Sequence, residues 1–439
     1  MTNNFIYSLG ILSIFLIVGF ILRAKIKIFQ NLFLPSSVIG GFILLLLPLP
    51  KEYIYIYSKI PGYLIIPIVA SIPLGLKITK NKVLLKRIVP HSLIMLGVSM
   101  LQFIIGAFSF LIFKKIIPNI YPIFGSELEF AFAGGHGTVG MLSHILESKN
   151  LSYWNFAQGV GSAFATFGLI GGIFFGTIII NIAARKKMCK YIETPNDISK
   201  SLKVGYEKNV SKQNSLGNET TLSTSIDPLA FHFAIILSVS ALSYFLYNYI
   251  KLHKILYLKN IGVWTYAIFI MFLVWFIMCK LNLEYLVDSK VKSKLSGMLT
   301  EFAIISAIAS MPIKFIAAYI IPIIIISIFG LFFTFIYIFI FTKLYIKEDF
   351  FEHAIISFGM NTGVFITGLL LLRITDPELK STALTDHTLC YAFTSWGFIL
   401  VGVLLDLWIS CGAWAAVLIS GIMFLIFTFG LAIHSKIKY

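Results

Sequence analysis

Apolar residues in this chain fall in long blocks, separated by short polar stretches rich in lysine. Residues 11–22, 178–184 and 320–341 run almost free of charge. A helix needs about 20 apolar residues to cross the hydrocarbon core. The pattern therefore predicts spans over residues 5–22, 34–49, 62–76, 90–113 and 156–183 in the first half of the chain. In the second half it predicts spans over 229–250, 261–280, 295–313, 316–342, 388–410 and 412–433. Barrel strands would alternate apolar and polar residues over about 10 positions, and these blocks do not. The fold class expected is an all-α polytopic membrane protein.

Two segments, 127–148 and 352–372, are apolar enough to enter the membrane but are interrupted by Gly, Asn and Thr. Loop charge bears on how they run. With the N-terminus outside and both interrupted segments entering and leaving on one side, the inner loops hold Arg23–Lys27, Lys77–Arg87, eight basic residues from Arg185 to Lys212, Lys280–Lys294, Lys343 and Lys347, Arg373 and Lys380, and Lys436 and Lys438. Together they carry 26 of the 35 basic residues. A full crossing by 127–148 would move the basic loop 184–228 outside, against the positive-inside rule. Segment 127–148 is thus expected to be re-entrant.

The chain then divides into a first transmembrane repeat (1–183), a polar cytoplasmic linker (184–228) and a second repeat (229–439). "ASIPLGLK" (residues 70–77) is echoed by "ASMPIK" (309–314), and "GGHGT" (134–138) more weakly by "FGMNT" (358–362), in the same order in each half. One half starts outside and the other inside, so the repeats are expected to be inverted, as in many secondary transporters.

Composition adds limits. The chain is 58% hydrophobic and 12% charged, far from the soluble average. The net charge of +16 sits between the apolar blocks, where it sets orientation, and gives no nucleic-acid signal. Residues 1–4 lack a basic n-region, so the first block reads as a retained span. Cys189, Cys279, Cys390 and Cys411 have no ligand spacing and read as free thiols.

Candidate chemistry concentrates at the interruptions. Non-helical backbone survives at membrane depth only against protein or water. Gly134, Gly135, Gly137 and Gly140, beside His136 and Thr138, favour a ligand site over simple helix packing. Broken helix ends offer N–H groups to an anion and carbonyls to a cation. His136 has no metal or nucleophile partner in sequence, and reads as a hydrogen-bonding residue or a protonation switch. In "FGMNTGVFITG", Gly359, Asn361, Thr362 and Thr367 supply a flexible backbone and neutral oxygens suited to Na⁺. Thr367 is equally suited to satisfying freed backbone groups. Arg373 has the planar fork for a substrate carboxylate, against the simpler reading of an interfacial arginine. Asp406 lies in an apolar span, where an acid is a functional hypothesis by default; it suits Na⁺ or a proton. Glu301 is a weaker case, and Glu127 and Glu129 read as interfacial. In "LPSSVIGG" the serines are placed to cap a discontinuous helix.

These residues resemble the bacterial glutamate:sodium symporters. "AGGHGT" (133–138) followed by "ATFGLIGG" (165–172) carries the likeness. "LPSSVIGG" is similar to the family's second span, "SIPLGL" (71–76) to its third, and Asp406 to an acid in its last span. The resemblance implies inverted five-span repeats, re-entrant segments meeting at the core, a homodimer, and Na⁺-coupled amino-acid uptake by movement of a core against a scaffold. Two features depart from it: "FGMNTG" stands where the family's second motif is histidine- and glycine-rich, and there is room for an additional last span, 412–433.

The function expected is secondary active transport in the cell inner membrane, with Na⁺ as coupling ion and glutamate or a related small carboxylate as cargo. The substrate would lie on Gly134–Thr138, Gly359, Asn361, Thr362 and Arg373, and the cation on Asn361, Thr362, Thr367 and Asp406. The alternatives are an ion channel lined by the same segments, a membrane-embedded enzyme using His136, and a sensor or scaffold.

Overall fold

The computed structural model describes residues 2–32, 34–76, 82–191, 200–213, 215–253, 263–311, 317–376, 380–394 and 397–436, and among these there is no strand. The first half contains α1 (Thr2–Lys25), α2 (Lys27–Asn31), α3 (Ser36–Leu45), α4 (Lys51–Ala70), α5 (Lys82–Ile116), α6 (Glu127–Ser148) and α7 (Trp154–Arg185). The linker carries a short α8 (Lys200–Val204). The second half contains α9 (Pro228–Leu252), α10 (Val263–Lys280), α11 (Ser289–Ala309), α12 (Ile320–Tyr345), α13 (Phe350–Met360), α14 (Phe365–Thr375), α15 (Ala383–Thr394), α16 (Gly397–Cys411) and α17 (Ala413–His434). Seven of the described helices (α1, α4, α5, α7, α9, α12 and α17) are long and apolar enough to cross a membrane. The protein is an all-α polytopic membrane protein, and α17 occupies the room seen for a last span.

Two boundaries differ from the sequence pattern. The span at 34–49 is a ten-residue helix, because Pro48 disfavours the helical conformation just before it and Pro50 takes the cap position of α4. α4 then starts eleven residues before the expected 62. It runs through Lys59 because that ammonium pairs with Glu147 and lies 4.3 Å from the Trp154 ring centroid. The span expected at 388–410 holds α15, described up to Thr394, and α16, described from Gly397; residues 395–396 lie outside the described set. The serines of "LPSSVIGG" make no capping bond. Instead Gly40 lets α3 press on the Phe15 carbonyl of α1, and Gly41 lets it press on Ile308 of α11.

The helices form two groups. α1, α3, α4, α9, α10 and α11 pack on one another, as do α5, α6, α7 and α12–α17. Each group takes helices from both halves of the chain. Small residues line the seam between them: Gly140 lies against Pro61, Gly137 against Ile65, and Gly62 against His144.

α6 is bent back on itself. Gly135 has φ 65° and ψ −153°, a region only glycine occupies readily. Straight, this 22-residue helix would hold its ends about 33 Å apart. Instead the flanking Tyr121 and Tyr153 rings stack at 5.7 Å, and two residues of α16 reach both ends. Trp408 Nε1–H donates to the Pro122 carbonyl at 3.0 Å, and Asp406 pairs with Lys149 at 3.1 Å. α13 and α14 form a second hairpin. Gly359 and Gly368 let its arms touch, and the Thr382 N–H beyond one end donates to the Asp349 carboxylate before the other.

Three long helices run from one hairpin base to the other. On α5, Arg87 pairs with Asp386 beside the base of the second hairpin, Met95 and Gln102 contact Asn361 at the second tip, Ser99 contacts Glu129 of the first hairpin, and Gly106 abuts Gly125 at the base of the first. From Arg87 to Gly106 is about 28 Å of helix, close to the hydrocarbon thickness. α12 runs the opposite way: Tyr319 OH donates to the Asn119 carbonyl at its start, and Phe339 meets Phe351 near its end. α7 begins at the Tyr121–Tyr153 stack, and the chain after it reaches Asp349 through Lys190 at 2.9 Å. The hairpins therefore point at each other from opposite ends of the bundle.

Candidate functional site

In the first hairpin, the arm 127–134 ends and the arm 136–148 begins at Gly135. Breaking a helix frees carbonyls on one side and N–H groups on the other. Thr138 closes part of the gap: its Oγ1 hydrogen donates to the Phe130 carbonyl and lies 3.0 Å from the Gly135 carbonyl. In a straight helix residues 130 and 138 would sit about 12 Å apart along the axis, so this contact exists only because the arms fold together. His136 turns toward α7, 3.2 Å from Thr166 Oγ1, and fastens the tip to that helix.

The second tip is residues 361–364. Thr362 Oγ1–H donates to the Phe358 carbonyl at 2.8 Å, and the Thr362 side chain fills the groove left by Gly172 on α7. Asn361 Nδ2 donates to the Ser357 carbonyl and to Met95 Sδ, at 2.8 and 3.0 Å. Its own carbonyl accepts from Gln102 Nε2 at 2.7 Å. Thr367 stands in the first turn of α14 against Gly363.

The tips touch. A Cβ on Gly135 would run into Val364 Cγ1 and come within 3.3 Å of the Gly363 carbonyl. Both second arms, beginning at His136 and Phe365, start here, so two helix N-termini with their partial positive charge face one small region. Beside it lies a cavity of about 40 Å³, lined by residues that include Ser99, Glu129, Ala133, Met360, Asn361, Tyr391 and Thr394. This volume holds a water or a small ion. Ala133 and Gly134 are half-buried while the flanking helix is fully buried. The arrangement offers N–H donors to an anion and carbonyl, hydroxyl and carboxylate oxygens to a cation, about midway along α5.

The structure brings together most of the residues expected from sequence. Gly134, Gly135, Gly137, Thr138, Asn361, Thr362 and Thr367 lie at or within one turn of the tips. His136 is beside them but directed at α7, and Gly359 is a packing contact between the arms of the second hairpin. Arg373 and Asp406 lie elsewhere. Arg373 is half-buried, nine residues and about 14 Å along α14 from Val364. Asp406 is at the base of the first hairpin, with its carboxylate on Lys149. Glu301 lies beside Arg23.

Other residues come forward that sequence reasoning passed over. Glu129, read as interfacial, is 1% exposed and lines the cavity; Ser99 Oγ–H donates to its Oε1 at 2.5 Å. Gln102 bridges Thr334 Oγ1 and the Asn361 carbonyl. A buried polar network lies between the second hairpin's base and its tip. His91 Nε2 is 2.9 Å from His387 Nδ1 and 3.0 Å from Ser357 Oγ; His353 Nε2 and Arg87 Nε meet Asp386 Oδ2 at 3.2 and 3.0 Å. These groups tie α5, α13 and α15 together. Their positions in the chain are too far apart for any spacing to reveal them. No group of three or more His, Cys, Asp or Glu among the described residues could hold a metal ion.

No curated protein matches the chain at significance. A family profile described as sodium/glutamate symporter matches residues 1–363, covering the first hairpin, the long helices α5, α7 and α12, and the second hairpin as far as its tip. Over four-fifths of its length, then, the chain carries the pattern of transporters that couple to sodium, and it belongs to the sodium/glutamate symporter family.

Proposed function

We propose that this protein is a sodium-coupled symporter of glutamate or a related small carboxylate, working by alternating access. The observation that carries this is the meeting of the two hairpin tips at Gly135 and Gly363–Val364, with their bases at opposite ends of α5. A site formed by two tips is shielded from both ends of the bundle by the hairpins themselves. The carboxylates of the cargo lie on the N-termini of the two second arms, with Thr138 and the N–H groups around Gly134–Gly137 positioning them. Sodium takes oxygen ligands from the same tips: carbonyls freed by the breaks and the side chains of Asn361, Thr362 and Thr367.

The helix groups supply the moving parts. The group with the hairpins is the core, and α1, α3, α4 and α9–α11 are the scaffold, in two inverted repeats joined by the linker 184–228. Along Gly137, Gly140 and Gly62 the seam is lined by small residues, which suits sliding, and the Lys59–Glu147 pair bridges it. The end of α1 at Arg23 and the start of α11 at Lys290 both meet the linker at one end of the bundle: Gly205 lies beside Arg23, and Asn218 Nδ2 bonds Asp288. By the positive-inside rule that end is cytoplasmic. Sodium and cargo bind better to the closed arrangement than to either open one, and this differential affinity drives the cycle.

The test is counterflow in proteoliposomes. A sodium gradient is expected to drive saturable uptake of labelled glutamate or a close dicarboxylate. Sodium-independent ohmic current without saturation would point instead to a channel. Thr138→Ala strips the Phe130 carbonyl of its donor beside the cargo, at a cost of about 1–3 kcal/mol. It is expected to leave the protein folded and inserted while uptake is lost. Undiminished uptake would remove Thr138 from the site.

A further inference from the structure

We infer that Glu129 supplies the carboxylate of the sodium site. The inference rests on the symport reading above and identifies the charged ligand that reading lacks. Glu129 and its near neighbour Glu127 are both buried, at 1% and 0% exposure, but only one of them is satisfied. Glu127 Oε1 accepts from Tyr121 OH at 2.5 Å and its Oε2 from the Gly125 N–H at 2.6 Å. Glu129 has Ser99 on Oε1, while its Oε2 is buried with no hydrogen-bond partner.

An unmatched carboxylate oxygen at membrane depth is costly and marks a function unless something neutralises it. Protein cations do not serve here. Among the described ion pairs, Arg87 is held by Asp386 and Glu348, Lys149 by Asp406, and Lys59 by Glu147. The surroundings are rich in acceptors. The cavity that Glu129 lines also presents Asn361 and Thr394. One turn along α5 from Ser99, Gln102 Oε1 is likewise buried without a donor, its amide nitrogen being spent on Thr334 and the Asn361 carbonyl. The orphaned Glu129 oxygen and the neutral hydroxyl and amide groups around a cavity of about 40 Å³ make an all-oxygen donor set for a hard cation, with the Gln102 oxygen one turn farther along α5. With one carboxylate, a single monovalent ion balances it. Glu129 lies on the first hairpin and Asn361 on the second, so an ion between them joins the tips. Sodium binding then favours the closed site in which the cargo is held.

The test is thermal unfolding of the purified full-length protein in detergent, in NaCl against choline chloride at equal ionic strength, for the wild type and Glu129→Gln. The wild type is expected to be stabilised by sodium, saturably. In Glu129→Gln the half-saturating sodium concentration is expected to rise at least tenfold. The unfolding temperature in choline should not fall, since glutamine keeps the Ser99 contact and removes a buried charge. A variant that keeps the wild-type sodium midpoint overturns the inference and leaves the symport reading standing. A wild type blind to sodium with glutamate present overturns the symport reading itself. Sodium-independent stabilisation by acid that disappears in Glu129→Gln would make Glu129 a proton site and also contradict the inference. Should Glu129→Gln fail to fold, Glu129→Asp, which withdraws the carboxylate by one methylene, is expected to raise the sodium midpoint. An unchanged midpoint there overturns the inference too.

Discussion

Gly135 combines a positive φ with an extended ψ, and on that one residue depends the reversal of α6. Any side chain at this position pays twice: the backbone region costs of order 1–3 kcal/mol for a non-glycine residue, and the new Cβ meets Val364. Gly135→Ala is therefore expected to lower the unfolding temperature and to abolish uptake, whereas Gly137→Ala, whose Cβ would meet Ile65 only at ordinary contact distance, should leave stability near wild type. Asp406 makes the contrasting case. Its half-buried carboxylate is shared with Lys149 at the base of the hairpin, with side-chain exposures of 23% and 30%, so this acid already has a protein cation as its partner. Asp406→Asn is expected to retain uptake with an unchanged sodium half-saturation; a strong rise in that value would return Asp406 to the site. The sequence made "GGHGT" stand out because glycine is dense there within an apolar run. It gave no means of ranking Asp406 against Glu129. That ranking depends on Lys149, more than 250 residues before Asp406, and on Ser99 of α5, which holds Glu129 beside the cavity.

At the scale of elements, apolar block length was a good guide to the helices and a poor one to their breaks. The blocks around α1, α7, α9, α12 and α17 match helices that run little beyond them. The segment 352–372 is a helix pair because Asn361, Thr362 and Gly363 interrupt it, as its composition suggested. α11 shows how an end is fixed: Asp288 Oδ1 accepts from the N–H groups of Lys290 and Val291, while its Oδ2 accepts from Asn218 of the linker. Partial burial opposes ionisation of Asp288, but these hydrogen bonds outweigh it and hold the carboxyl below the usual aspartate range. Because the folded-state value is depressed, the contribution is complete at neutral pH. It is lost only as the pH falls below the ordinary aspartate range. Asp288→Ala is expected to cost about 1 kcal/mol through the lost cap. It should also raise protease cleavage near residue 218, and unchanged cleavage would show that the linker is held by other contacts.

For the whole molecule, the two halves of the chain contribute to both helix groups, and the hairpins meet because α5, α7 and α12 hold their bases apart. Loop charge bears on the end-to-end arrangement, since it follows the bulk distribution of lysine and arginine. Which side chains meet across some 200 to 300 residues, such as His91 with His387 or Gln102 with Asn361, is decided only when the bundle closes. The most direct measurement is thiol labelling with a membrane-impermeant reagent in oriented vesicles, on a background with Cys189, Cys279, Cys390 and Cys411 replaced. Single cysteines go at the exposed positions Asn119 and Asn150, which flank the first hairpin, and Glu348 and Lys380, which flank the second. Asn119→Cys and Asn150→Cys are expected to label from one side, and Glu348→Cys and Lys380→Cys from the other. Labelling of Asn119→Cys and Asn150→Cys from opposite sides would show residues 127–148 crossing the membrane, and the meeting of two hairpins at its centre would be ruled out.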